Sequence, residues 1–236
     1  MKKLLLLIFT TLSFFSCMAE TLRVVTEDLS PYQIVVDGQL VGGRSYLVVK
    51  EMLKRADLQP RIEVLPWARA YSIAASEPNV LIFTMVRTAQ RDPHFHWLAK
   101  LARGNYGFYS LTSRTDLPVD SLPALLKHTV ASVRNSFEAS SLVNMGFVEG
   151  KNLILTVNYN EAWQMVLLGR ADFTYDSDTT KTSAPELFSK GYSSEQTSDS
   201  YLAANINTDA KILRRLEASL QSMRQDGTMA RLLQTP

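Results

Sequence analysis

Two arginines four residues apart, Arg87 and Arg91, stand just beyond an apolar run, Asn79-Val-Leu-Ile-Phe83, in a chain of 236 residues. The run reads as a buried strand. After it the chain turns polar, through Thr84-Met-Val-Arg-Thr-Ala-Gln-Arg91. In open α/β sheets, ligands sit outside the carboxyl ends of the strands. A guanidinium is permanently charged and matches a carboxylate with two parallel hydrogen bonds. The pair is therefore a candidate clamp for a small anion. Arginines at strand ends are also common as solvated loop residues, and spacing alone does not separate the two readings. Arg44 and Arg69 add two more guanidinium groups to the same part of the chain, which tilts the expectation toward an anionic ligand.

Other reactive side chains offer less. His94 and His96 are spaced like a metal pair, but no third His or Cys lies near them and the remaining histidine is His128. They read as exposed loop residues, and no metal is expected. The chain has no G-x-S-x-G elbow and no phosphate-cradling glycine loop. Catalysis and a cofactor are therefore not expected.

Lys2 and Lys3 precede an apolar run over 4–15, followed by Ser16-Cys-Met-Ala19. These are the three regions of a secretory signal peptide, and the run is too short to span a bilayer comfortably. Cleavage is expected after Ala19, sending the protein to an exported compartment. Cys17, the single cysteine, is either a tolerated small residue or a lipoprotein cysteine, and Phe14-Phe15-Ser16 makes a poor lipobox. A mature chain starting at Glu20 has no thiol, so an oxidising compartment leaves its fold untouched. The chain carries 25 Lys+Arg against 23 Asp+Glu, and losing Lys2 and Lys3 leaves it formally neutral. Such a balance gives no reason to expect nucleic acid as a partner.

The elements that must position the arginines follow an α/β rhythm. Leu22-Arg-Val-Val-Thr26 is a short strand, and Asp37-Gly38 marks a hairpin turn. Gly42-Gly43 breaks that hairpin, and Ser45 is a candidate cap for the helix that follows. Arg61-Ile-Glu-Val-Leu65 is a second strand, and Pro66-Trp67 opens another helix. Residues 104–112 form a further strand. A second unit begins after the prolines at 118 and 123, with Ser136 beside a helix start and strands near 130, 155 and 173. The stretch 183–200 is polar and reads as irregular, before a last strand at 201–206 and a long amphipathic helix over 210–225. A mostly parallel sheet with helices on its faces is expected. Crossovers near 110 and 195 would let the first and last parts build one lobe and the middle part the other.

Taken in order, several pieces carry a resemblance: Leu22-Arg-Val-Val-Thr26 leading to Pro31-Tyr32, Gly42-Gly43, Thr84 with Arg87-Thr88 and Arg91, Phe95-His-Trp97, Gly169-Arg-Ala-Asp172, and Met223-Arg-Gln-Asp226-Gly227-Thr228. Over nearly the whole mature chain the sequence resembles periplasmic solute-binding proteins of family 3, which bind amino acids for ABC importers. The resemblance implies an α/β, two-lobed periplasmic binding protein (type II) fold with two crossover segments and a ligand cleft between the lobes. Lobe I would comprise 20–108 and 198–236, lobe II 109–197, behind a signal peptide at 1–19, and the exported compartment would be the periplasm. It implies that Arg91 grips the ligand's α-carboxylate, that Thr84 contacts the ligand and that Trp67 stacks on its side chain. Ser136 would complete the carboxylate pocket at a helix N-terminus, where anions are favoured. Arg87, Arg69 and Tyr32 are further candidates for ligand binding.

The chain departs from the family pattern at the acid that receives an α-ammonium. Ser177 stands there, flanked by Asp176 and Asp178, and Asp176 is the expected substitute. Leu29 replaces a frequent stacking aromatic, and Tyr46 and Lys100 also differ from the pattern. Asp172 is expected to support a turn rather than touch ligand. The resulting expectation is a monomeric protein that captures a small anionic or zwitterionic solute and has an ABC permease as partner. Two alternatives use the same fold: a periplasmic dehydratase of cyclic carboxylic acids, with Glu27 or Asp176 as general acid, and a sensory module for a membrane receptor. Site chemistry, not fold, separates them.

Overall fold

The computed structural model describes residues 21–117, 120–180, 182 and 184–235. The leader expected at 1–19, with Cys17, lies outside the described residues. The first part of the chain forms β1 (Arg23–Thr26), the hairpin β2 (Ile34–Val36) and β3 (Gln39–Gly42), α1 (Arg44–Arg55), β4 (Ile62–Val64), α2 (Trp67–Ser76), β5 (Val80–Val86) and β6 (Phe95–Leu111). The middle part forms α3 (Leu122–Leu125), β7 (Val130–Val133), α4 (Phe137–Met145), β8 (Leu153–Thr156), α5 (Tyr159–Leu167) and β9 (Phe173–Ser177). The chain returns through β10 (Phe188–Asn205) to α6 (Ala210–Gln225) and α7 (Thr228–Leu233).

Eight strands share one sheet in the order β4-β1-β5-β10-β6-β9-β7-β8. β1, β4 and β5 pair in parallel, as do β7, β8 and β9. Every residue of β5 is buried, because helices cover both faces of its sheet. On one face, Val48 and Met52 of α1 pack with Leu81 and Phe83 of β5 and with Leu216 and Leu220 of α6. On the other, Trp67, Ala70 and Ala74 of α2 pack on Ile82 and Met85. The second lobe has its own core of Phe108, Leu142, Phe147, Phe173 and Tyr175.

The lobes are joined by two long strands. β6 and β10 pair antiparallel from Phe95 opposite Asn205 to Leu111 opposite Phe188. β5 flanks this ribbon at Ser200–Ala204, and β9 flanks it at Tyr106–Tyr109. Each long strand therefore serves both lobes. This corrects two expectations. The stretch read as irregular, 183–200, is largely strand, and the strand read as beginning at 104 begins at Phe95. His96 accordingly lies on β6, not in a loop, with its Nε2 3.0 Å from the Ile206 carbonyl. The polar half of β10 is half-exposed or exposed, so no apolar alternation betrays it. Its ladder bonds to β6 hold it whatever its side chains.

Helix starts follow local chemistry. Ser136 Oγ accepts from Ala139 N at 3.0 Å to cap α4, and Asn158 caps α5 by accepting from Glu161 N at 2.8 Å. Ser45 does not cap α1; it lies buried inside the helix, and Gly43 is the N-cap with φ +104°. A Cβ on Gly43 would sit 2.3 Å from the Tyr32 carbonyl oxygen, so only glycine lets the hairpin return this close to Tyr32.

Asp172 does secure a turn. Its Oδ2 accepts from Thr129 N and Thr129 Oγ1, both at 3.0 Å, and Arg114 lies 3.4 Å from its Oδ1. These contacts pin the entry to β9 against the start of β7. Asp172→Ala is expected to lower the unfolding free energy by about 1–3 kcal/mol, the cost of an unpaired amide with its lost partner. A urea melt checks this: the midpoint should fall with an unchanged m-value.

Candidate functional site

Where the two lobes face each other lies a narrow cleft with a cavity volume of about 30 Å³. Glu27, Leu29, Tyr32, Trp67, Thr84, Val86 and Arg91 line it from the first lobe. Phe137, Glu138, Tyr159, Ser177 and Thr180 line it from the second, and Ala102, Gly104, Tyr106 and Ser200 of the long strands form the floor. A Cβ on Gly104 would lie 2.1 Å from Ser177 Oγ, so glycine permits this close passage of β6. A wider groove shares Leu29, Tyr159 and Thr180 with the cleft and leads outward past Asp28 and Trp163. Two contacts bridge the lobes here. Trp67 Nε1 donates to the Asn135 carbonyl at 2.8 Å, and Tyr32 OH donates to Thr179 Oγ1.

Among the described residues, Arg91 is the only guanidinium on the cleft wall. It is 6% exposed. A tight turn from Thr88 brings it back, with Arg91 N bonded to Thr88 O at 3.0 Å. Its Nη1 donates to the Val86 carbonyl at 2.8 Å. The guanidinium carbon lies 5.3 Å from the ring centre of Trp67 and 5.0 Å from that of Tyr71. These two rings sit four residues apart on α2 and stack 5.9 Å from each other. Cation–π attraction of this kind is strongest where water is excluded. Burial lowers the guanidinium's pKa, while Tyr71 and Glu138 oppose that shift. The charge persists, since arginine starts so far above neutrality. Among the described residues, no carboxylate forms an ion pair with it.

Thr84 reaches the cleft through a strained bulge. Phe83 and Thr84 together face Leu202 of β10, and Thr84 has φ +62°. A β-branched residue in the left-handed region is costly and recurs where the surroundings enforce it, often at functional sites. Thr84 Oγ1 donates to Gln33 Oε1 at 3.2 Å, and Gln33 Nε2 donates to Thr26 Oγ1 at 2.7 Å. This buried chain fixes the hydroxyl's direction.

Glu27 and Glu138 line the same cleft as the Arg91 guanidinium, and Asp176 is buried just behind its wall. Burial raises Glu27 well above the usual carboxylate range, and Glu138 and Asp176 raise it further. Burial also raises Glu138, against the bonds it accepts from its own backbone, Tyr159 and Ser136; the Tyr159 bond is 2.8 Å. Asp176 is pushed up to about 7 by burial and then by Glu138, against bonds from Ser177 N, Thr180 and Trp163.

The sequence-derived candidates divide accordingly. Arg91, Thr84, Trp67 and Tyr32 meet on the cleft wall. Asp176 is buried just behind it, with Trp163 Nε1 at 3.0 Å and Ser177 N at 2.7 Å. Asp178 is exposed and bonded to Asn105. Ser136 serves the cap of α4 instead of lining the cleft. Arg87 points outward, paired with Asp92 at 2.8 Å and lying over Trp97, and Arg69 is exposed on α2. Arg44 lies 4.3 Å over the Tyr32 ring. Glu138, Tyr159, Tyr106 and Phe137 escaped the sequence reading. An acid in a helix's first turn looks like ordinary dipole compensation, which concealed Glu138.

The sequence matches no family model and no curated relative. Solved structures match it closely in shape. A mutant form of ArgBP from T. maritima superposes with a TM-score of 0.78 at 16% identity, covering 90% of this chain and 93% of that one. The arginine-, lysine-, histidine-binding protein ArtJ from Geobacillus stearothermophilus gives 0.76 at 12% identity, covering 90% and 93%. A histidine kinase sensor domain with similarity to periplasmic binding proteins gives 0.75 at 16% identity, covering 90% and 94%. The chain thus has the two-lobed periplasmic binding protein fold. Among the described residues, no helix is long and apolar enough to cross a membrane.

The buried acids have a consequence for stability. A carboxyl raised in the folded state holds its proton more tightly there than in the unfolded chain. Stability then falls as pH rises from the ordinary carboxylate range through about 7, the value for Asp176. The unliganded protein should melt at a higher temperature at pH 5 than at pH 8. Asp176→Asn should flatten that slope, which thermal melts across the pH range would show.

Proposed function

We propose that the protein is a periplasmic solute-binding protein that captures a small zwitterionic solute, an amino acid or related polar metabolite, and presents it as a monomer to an ABC importer. The observation that carries this reading is Arg91: a buried guanidinium on the cleft wall, oriented by Val86 and two rings, with no carboxylate among the described residues paired to it. A ligand carboxylate is the natural complement of such a group. Thr84 offers a polar contact beside it, Trp67 and Tyr32 supply flat walls, and the carboxyl groups of the cleft receive an amine. Asp176, turned to Trp163 and Ser177 N, contributes its charge from behind the wall. Arg87, Arg69 and Ser136 act through the turn, the surface and the cap. Structures of this fold that bind arginine, such as ArtJ and the L-arginine-bound AbpA of Streptococcus pneumoniae (TM-score 0.74, 15% identity), support an amino-acid-like ligand.

A second reading is favoured by the sensor-domain likeness: the same captured solute would report to a membrane kinase. Co-purification with a kinase rather than a permease separates the two. A dehydratase reading rests on the proton-holding acid Glu27 and requires turnover of a cyclic acid such as prephenate.

Binding stabilises the closed state by mass action, so a true ligand should raise the melting temperature as its concentration rises. In a calorimetric titration with the best amino acid from such a screen, Arg91→Ala should weaken binding about ten- to a hundredfold, the worth of a charged hydrogen-bonded pair. Arg91→Lys should recover only part of that, because it lacks the fork. Unchanged affinity in both variants would refute the clamp.

A further inference from the structure

The cleft contains more acid than its one guanidinium answers. Glu27 follows β1 in the first lobe, and Glu138 lies in the first turn of α4 in the second. Both are 5% exposed and line the same cavity. Arg91 donates to a backbone carbonyl, and Glu138 has Tyr159 OH at 2.8 Å. Glu27 Oε2 is buried and has no hydrogen-bond partner among the described residues. A buried acceptor left alone is costly, and the cost is greater when it carries charge. Like charges brought together where water is excluded also repel strongly. Closing the lobes therefore sets one carboxyl group against another, with Asp176 adding to the same field.

A positive group held between Glu27 and Glu138 reverses the sign of that interaction on both lobes at once. Among the described residues, no group of three His, Cys, Asp or Glu side chains is placed to hold a metal ion. The donor set suits an organic cation, which binds through directed N–H bonds. Tyr106 and Phe137 flank the pair with aromatic surface, 5.2 Å apart between ring centres. Such surface favours a delocalised or alkyl-borne cation.

We propose that Glu27 and Glu138 form a cation subsite across the lobe interface, so that the preferred ligand carries a guanidinium or primary ammonium group in addition to the carboxylate held by Arg91. This rests on the cleft being the solute site and names the second pole of its ligand. The subsite makes closure conditional on charge: a ligand of the same shape without the positive group leaves the two carboxyl groups opposed.

The test compares L-arginine with L-citrulline, its neutral near-isostere, by calorimetric titration of the full-length mature protein. Wild type should bind L-arginine at least about tenfold more tightly, the worth of one charged hydrogen-bonded contact. Glu138→Gln and Glu27→Gln should each reduce that ratio toward one, mainly by weakening L-arginine. Glu27→Asp, which keeps the charge, should retain part of the preference and guards against a misfolded Gln variant. A wild type that binds both ligands equally, with binding lost in Arg91→Ala, overturns the cation subsite and leaves the solute reading intact. A wild type that binds neither these two nor any amino acid in the thermal screen overturns both. Retention of the full preference in both Gln variants also overturns the subsite.

Discussion

The buried guanidinium of Arg91 organises this protein. Arg91 carries charge in a place from which water is nearly excluded, and a charge there must be compensated. Its partners within the protein are a carbonyl and two aromatic faces, which orient it without neutralising it. Much of the first lobe follows from that need. The end of β5 must bring the chain out at Val86, the turn from Thr88 must fold it back, and α2 must present Trp67 and Tyr71 on one face. The strained Thr84 bulge belongs to the same arrangement: it bends the all-buried strand so that its end opens on the cleft.

The second lobe supplies the opposite sign. Glu138 and Asp176 come from different elements, α4 and β9, yet each raises the proton affinity of Glu27 across the cleft. The first lobe's wall carries Arg91 and Glu27, and the second lobe's carries Glu138 with Asp176 buried behind it, so the closed cleft holds both signs of charge. A zwitterion suits such a field better than a simple anion, which would meet the acids as soon as the lobes closed. The four arginines that first suggested an anionic ligand do not act together: one faces the cleft, one stacks on Tyr32, and two point to solvent or to surface acids.

Much of the fold was legible because it rests on local patterns. The β5 run, the hairpin at Asp37-Gly38, the Pro66 start of α2 and the Ser136 cap of α4 all appear where residue type and spacing place them. The long strand β10 was not legible, since its polar half gains its order from pairing with β6 and not from burial. The Ser45 cap failed because a tertiary contact, Gly43 against the Tyr32 carbonyl, sets the start of α1. Within the site, Arg91, Thr84, Trp67 and Tyr32 were named from the chain. Glu138 was not, because its burial is created by the meeting of two lobes distant in sequence. Asp176 could be named but not oriented, since its bond from Trp163 depends on how α5 packs over β9.

The fold by itself serves capture, sensing and catalysis, and the choice among them lies in how the cleft's charges meet a ligand. A crystal structure of the protein grown with a bound amino acid tests this arrangement of charges most directly. The ligand's carboxylate should lie against the Arg91 guanidinium, with its ammonium or side-chain cation between the walls that carry Glu27 and Glu138. A ligand bound in the reverse orientation, or outside the cleft with Arg91 still facing only Val86 and the two rings, would contradict it.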